Sequence, residues 1–492
     1  MESTGSSKEV PVSSDDISNL EKEPTGSDTG VAATEPVQST DVQAEGDEAQ
    51  EEILEKLKGD RIGETMYSER FVLTTILKLP QLETPIGDDE DFEKDLCSLW
   101  DMTIEKDVVL FLLKHDVVEL FVGLTEGSQD NRLIEILLGI IGNMCCVDET
   151  HRCLYDNKSL ILSLCDFLDS TDTLVLVQLM RIFTTIFDKS DDEQYCWFKV
   201  IREVENMTEK MAFILSSTIN QELIEHTIEA IHSMVNRFTE AEVDYAQLNE
   251  FYTMFAKPCL VEGLMEGFKQ IYPEAAAENQ FEQEFLNSKD LKIIQKFLDI
   301  NENFIINANE VYENQVEKIV CCMYRILHPL SDPNCLIPLS KAHIRILVCI
   351  NSIYSAIVYH FHPPTFLALI KIYNILAQEQ KSTEKPPEQE QKPSTSTSTN
   401  ETEPNDDAAD CEFDIQTALG EILETTYFMA EPIDGLTIAN TLRTSSFNEE
   451  TIRRLCDAFR ETMAGDPLLN RTCELLQESA RSVWGQEGRG RT

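Results

Sequence analysis

Glycine and proline are scarce, 19 and 18 of 492 residues, which argues against a fold of many tight turns and suits long helices. Basic residues are few for the acid present: 40 Lys and Arg stand against 89 Asp and Glu, a net charge of −49. A field of that sign repels nucleic-acid backbones and anionic lipid. It attracts basic peptides or basic protein patches, and at the least it keeps a protein in solution. No direct nucleic-acid binding is expected. No uninterrupted apolar run reaches the ~18 residues of a membrane span; the best stretch, Leu133–Val147, is interrupted by Glu135 and Asn143. The first 50 residues have no apolar core of a secretory signal.

Catalytic fingerprints are missing too. There is no GxGxxG, no P-loop, no HExxH and no nucleophile-elbow GxSxG, and no alternation of strands with helices to carry a nucleotide. No CxxC pair has zinc-ribbon spacing. Paired carboxylates occur everywhere, so none stands out as acid and base. The chain therefore reads as no enzyme, with no catalytic, cofactor-binding or metal residues and no cofactor. His360-Phe-His362 is the nearest approach to a metal cluster. It is placed at the end of an apolar helix before Pro363-Pro364, where a histidine meets the helix dipole favourably. Of the 14 cysteines, Cys145, Cys146, Cys165, Cys321, Cys322 and Cys349 fall within apolar helical runs and read as free thiols packing as small hydrophobes. That usage fits the reduced nucleus or cytoplasm.

What is present is a repeat. Asn131–Cys146 aligns without gaps on Asp172–Phe187 and on Gln221–Asn236, at offsets of 41 and 49 residues. Apolar residues coincide at Ile134/Val175/Ile224, Leu138/Leu179/Ile228, Ile141/Ile182/Ile231 and Cys145/Ile186/Val235. This spacing is one face of a helix, repeated. A period in the forties is the length of an armadillo or HEAT unit, whose apolar face is buried only by stacking on its neighbours. The expected fold is all-α: an armadillo/HEAT-like right-handed helical solenoid.

The chain divides accordingly. Residues 1–50 are polar and acidic and are expected to be a disordered tail, with a short helix from Glu51. Residues 51–380 form the solenoid, 381–410 a low-complexity disordered insert, 411–482 the last solenoid helices and 483–492 a flexible tail. Within the solenoid, one amphipathic helix is expected from Arg61 to Leu79, and Thr103 is expected to cap a helix running to Leu113. A helix over Leu248–Phe268 is expected to break or kink at Pro258, and another runs over His343–His362.

Ordered words run through the N-terminal half: Ile62-Gly63-x-Thr65-x-Tyr67-Ser68, Cys97-x-x-Trp100-Asp101-Met102, Asp107-Val108-x-Leu110-Phe111-Leu112 and Gly139-Ile140-x-Gly142-Asn143-Met144-x-Cys146. In this order and spacing the chain resembles the serum amyloid A-like protein 1 family, best over residues 60–190. The resemblance implies an armadillo-like fold, nuclear or nucleocytoplasmic residence and a role in promoting cell proliferation. It implies no established catalysis.

Trp100 reads as a core anchor, and Gly139 and Gly142 as places where a neighbouring helix comes close. Asn143 is open to a second reading. In peptide-binding armadillo proteins an Asn on the last helix of each unit clamps a peptide backbone. The aligned positions here are Asn143, Thr184 and Ser233, while the positions of the accompanying Trp ladder hold Gly139, Met180 and Glu229. Asn143, Thr184 and Ser233 are thus candidate partner-binding residues, with helix packing as the plainer alternative. Two functions follow: a protein–protein interaction scaffold supporting proliferation, or a carrier for basic protein cargo.

Overall fold

The computed structural model describes residues 60–188, 197–240, 245–273, 287–357, 361–383 and 406–484, all within one compact unit, Asp60–Thr492. The expected N-terminal tail and its short helix, residues 384–405 of the insert, His360 and the last residues of the chain lie outside them. The described residues are helical, with no strand.

The repeat begins with α1 (Glu69–Lys78), α2 (Glu90–Met102), α3 (Lys106–Leu113), α4 (Val117–Gly127) and α5 (Asn131–Met144). There follow α6 (Asp148–Asp156), α7 (Lys158–Asp166), α8 (Thr173–Asp188), the short α9 (Phe198–Ile201), α10 (Met207–Ser217) and α11 (Gln221–Glu240). Next come α12 (Tyr245–Phe255), α13 (Pro258–Ile271), α14 (Ser288–Ala308), α15 (Val316–Leu330), the short α16 (Pro333–Leu336) and α17 (Lys341–Ala356). The chain closes with α18 (Pro363–Thr383), α19 (Asp406–Ala430), α20 (Gly435–Arg443), α21 (Glu449–Thr462) and α22 (Leu469–Trp484).

Two ladders run through this order. In the first, α2, α5, α8, α11, α14, α17, α19 and α21 each pack on the next; in the second, α10, α13, α15, α18 and α20 do the same. This is the stacking of a helical solenoid. The aligned apolar positions of α5, α8 and α11 are all buried against neighbouring helices. Each buried Ile or Leu contributes about 1.5–3 kcal/mol. Four of them in one helix outweigh the ~1 kcal/mol that each helical glycine costs.

The three helices start in register for a local reason. Ser128, Ser170 and Thr218 each accept a hydrogen bond from the backbone N–H two residues on, at 3.0, 3.1 and 3.1 Å. The residues so held, Asp130, Asp172 and Asn220, cap α5, α8 and α11 by accepting from first-turn N–H groups at 2.8–3.3 Å. Asp130 Oδ2 also accepts from Ile86 N at 2.6 Å, and Asn131 Nδ2 donates to Asp172 Oδ2 at 3.2 Å, so the caps tie one unit to the next.

Several expected boundaries move. The first helix starts at Glu69, not Arg61, because Gly63 takes a left-handed conformation (φ +55°) and Ser68 caps Phe71 N. Thr103 ends α2 instead of starting α3: its hydroxyl donates to Trp100 O at 2.6 Å, and Glu105 precedes the next helix. The helix expected over Leu248–Phe268 is two helices, with Pro258 in the first turn of α13, where no N–H is needed. Helix α17 stops at Ala356, so His362 does not end it; its Nδ1 meets Thr365 Oγ1 at 2.8 Å at the start of α18. Cys146 is exposed, unlike Cys145, which is fully buried. Among the described residues no helix is long and apolar enough to cross a membrane.

Candidate functional site

The long helices of the first ladder share a polar stripe, and its side chains are joined from helix to helix. At its N-terminal end Arg132 on α5 binds Glu93 on α2 at 2.7 Å and Glu135 at 2.9 Å. On α11, Glu229 accepts from His226 at 3.1 Å and from Lys296 of α14 at 2.7 Å. Burial alone would raise the Glu229 carboxyl, but these two donors bring it down to about 2. Glu225, nearly buried, takes Lys289 at 2.6 Å.

The densest node joins α11, α14 and α17. Arg345 donates to Asp299 at 2.8 and 3.1 Å and to Glu302 at 2.9 Å, and His232 lies 3.5 Å from Asp299. The Cys349 thiol, 0% exposed, donates to the same carboxylates at 3.3 and 3.4 Å. Burial and the two neighbouring negative charges push that thiol far up, so it stays protonated. Burial opposes ionisation of Asp299, yet His232 and Arg345 hold its carboxyl below the usual range. Asp299, Glu302 and Cys349 bring ligand-type atoms within 4.8 Å of one another. Arg345 already supplies the positive charge there, so the arrangement acts as an ion-pair lock between helices.

Farther on, the stripe changes character. Asn351 of α17 donates to Glu421 at 2.8 Å and to Glu424 at 2.9 Å, both on α19, while its carbonyl accepts from Thr425 at 2.9 Å. Burial raises the Glu421 carboxyl, Asn351 partly offsets this, and the charge of Glu424 raises it further. Among the described residues no Lys or Arg lies in ion-pair contact with either carboxylate. These two glutamates were invisible among 89 acidic residues; their spacing of one helical turn is the sole sequence signal they carry.

The three candidate residues sit on this ladder but do not form one outward row. Asn143 Nδ2 donates to Trp100 O at 3.1 Å and to Thr103 Oγ1 at 3.3 Å, and its Oδ1 accepts from Arg181 at 3.3 Å. Thr184 donates to Met180 O in its own helix at 3.0 Å, and Ser233 is buried. Asn143→Ala should therefore cost about 1–2 kcal/mol: Trp100 O keeps Thr103 as a donor, but the Thr103 hydroxyl loses a donor and Arg181 loses an acceptor. Thr184→Ala should cost less, about 0.5 kcal/mol, because the half-buried hydroxyl bonds only a carbonyl of its own helix and leaves no other helix without a partner. Urea denaturation of the two variants checks the contrast, and equal losses would contradict it.

The glycine expectation is met in a different way. A Cβ on Gly139 would lie 2.0 Å from Trp100 Cζ2, so the close neighbour is an indole ring rather than a helix backbone. Gly142 has only ordinary contact space, 3.6 Å to Ile182.

No protein-family model matches the chain. Among curated proteins it is 28% identical over 233 residues to Protein saal1 of Danio rerio, covering 44% of this chain and 49% of that protein. It is 30% identical over 193 residues to Protein SAAL1 of Mus musculus, covering 36% and 40%. The Homo sapiens protein of that name is 29% identical over 189 residues, again 36% and 40%. The match thus spans less than half the length of these relatives. Among solved structures, a designed armadillo repeat protein aligns with TM-score 0.37 and 12% identity over 57% of this chain and 99% of its own. Computationally designed armadillo repeat proteins for modular peptide recognition align with TM-score 0.38 and 11% identity, over 57% and 99%. The chain is an all-α helical solenoid that resembles, over a segment, the serum amyloid A-like protein 1 family.

Proposed function

We propose that this protein is a non-enzymatic interaction scaffold whose long-helix stripe binds a basic segment of a partner protein. One observation carries the reading: Glu421 and Glu424 are half-buried, held side by side by Asn351 and not neutralised by any Lys or Arg among the described residues. Two carboxylates in that state are poorly compensated, and a partner's Arg or Lys would relieve their repulsion with charge-assisted hydrogen bonds. The net charge of −49 draws basic segments toward the surface, while the pair defines where one seats. We read Asn143, Thr184 and Ser233 as packing residues of the same ladder. Residence in nucleus or cytoplasm and support of cell proliferation accompany this reading through the segmental resemblance. The carrier reading uses the same carboxylates and differs in accepting any basic cargo.

The test is fluorescence anisotropy of an arginine-rich peptide against the full chain and Glu421→Gln/Glu424→Gln. Binding should weaken about tenfold. A control of equal charge change at two exposed sites, Glu310→Gln/Glu313→Gln, should leave it nearly unchanged. Equal binding by all three proteins would remove the proposed anchor. Several unrelated basic peptides binding equally well would favour the carrier.

A further inference from the structure

The second ladder carries the opposite charge to the rest of the molecule. A hollow of about 370 Å³ opens between the end of α15, the first turns of α18 and the loop after α20, with Lys371, His328 and Ser446 in its wall. A second of about 200 Å³ is lined by Lys269, Arg325 and His362, and Tyr324 and Pro364 line both. Five basic side chains thus surround the pair of hollows, and no carboxylate lines either one. In a chain with 89 acidic residues that is a local reversal of sign.

The cations differ in what they already do. Lys269 holds Glu266 at 3.0 Å, and Arg325 is braced by Lys269 O and Tyr272 O at 3.4 and 3.0 Å. Lys371 is exposed and has no ion-pair partner among the described residues. Burial, and then the charge of Lys371, lower the His328 pKa, as a cation sharing the hollow with the ring should. The carbonyl ends of α15 and α20, which would repel an anion, are covered. Ser331 donates to His328 O, Thr444 to Thr441 O and Ser445 to Leu442 O, each at 2.7 Å. Beside the cations, Pro363, Pro364 and Leu367 form an apolar shelf suited to the residues flanking a modified side chain.

We propose that this hollow binds a phosphate monoester presented by a protein partner, a phosphoserine or phosphothreonine side chain, with Lys371 and His328 as its donors. The phosphate would accept hydrogen bonds from the Lys371 ammonium and the His328 ring, and from Ser446. The flanking peptide would lie on the proline shelf. This site shares no residue with the Glu421–Glu424 anchor and stands or falls independently of it.

The probe is a capped Gly/Ala/Pro peptide carrying one phosphoserine, observed by ³¹P NMR against the full chain. Its resonance should shift and broaden at millimolar protein or below. The dissociation constant should rise roughly tenfold for Lys371→Gln and stay unchanged for Lys341→Gln, another exposed lysine that lines neither hollow. Lys371 is exposed, so its variant should keep the wild-type thermal unfolding curve, and His328→Gln supplies a second variant. No ³¹P change with the wild type would overturn the proposal, as would equal binding by the two lysine variants. Inorganic phosphate binding as tightly as the peptide would make this a free-anion site and overturn the protein-borne source.

Discussion

Replacing Gly139 with alanine should destabilise the protein by about 2–3 kcal/mol, the usual cost of overpacking a tight contact, although alanine is the better helix former by about 1 kcal/mol. The added Cβ would stand 2.0 Å from Cζ2 and 2.3 Å from Cε2 of Trp100, and a rigid ring has no flexible end to withdraw. Trp100 must swing out of its seat on α5. The Asn143 bonds to Trp100 O and Thr103 then suffer with it, because the same turn of α2 carries both. A double-mutant cycle isolates the contact. Trp100→Leu alone should lose buried surface, but in its presence Gly139→Ala should be neutral or stabilising. Chemical denaturation of the four proteins provides the readout. Additive losses would show that the ring and the glycine are not coupled.

The second large effect is expected at Arg345. Removing one member of a buried ion pair costs 3–5 kcal/mol, and the outer half of this guanidinium is wet, so Arg345→Met should cost about 2 kcal/mol. Asp299 and Glu302, each with 13% of its side chain exposed, would be left close together on α14, with His232 and the neutral Cys349 thiol beside them but no guanidinium. The pH dependence gives the sharper test. In the wild type Asp299 is held below its unfolded pKa, so its contribution is complete above the ordinary carboxylate range and is lost as pH falls through the depressed value. Without Arg345 the mostly buried Asp299 carboxyl should rise above its unfolded value. The variant then regains stability as the pH falls and that group takes up a proton. The gap between the two proteins should therefore be widest at pH 7 and narrow toward pH 4.5. A constant gap would mean that Arg345 contributes packing alone. Glu229, held at about 2 by His226 and Lys296, should lose its own contribution lower still, between its ordinary value near 4.5 and about 2.

The helices were readable because periodicity is local. An apolar position every three or four residues reports a buried face whichever neighbour covers it, so α5, α8 and α11 emerge directly from the alignment of their sequences. Their shared start has a local signature that the structure brought out, Ser128-x-Asp130, Ser170-x-Asp172 and Thr218-x-Asn220, a hydroxyl turn followed by a cap. Boundaries failed where one residue can serve either end of a helix. Thr103 has the chemistry of an N-cap, and only the position of Trp100 O makes it the end of α2.

The site was far less legible. Trp100 and Gly139 pair across two helices, and Asn351 meets Glu421 across 70 residues of chain. Composition ranks no carboxylate above another; what separates Asp299 from Glu421 is that Arg345 reaches the first and no Lys or Arg among the described residues pairs with the second. The basic hollow is still less visible, since Lys269, His328 and Lys371 come from three helices scattered along an acidic chain. The sequence by itself determined the helices, their amphipathic faces, the repeat and the sign of the overall charge, because each is set by neighbours within a few turns. Which charges are neutralised, which stand open and where the field reverses were decided only by the stacking of one helix on the next, because electrostatic pairing depends on distance in space and not on separation along the chain.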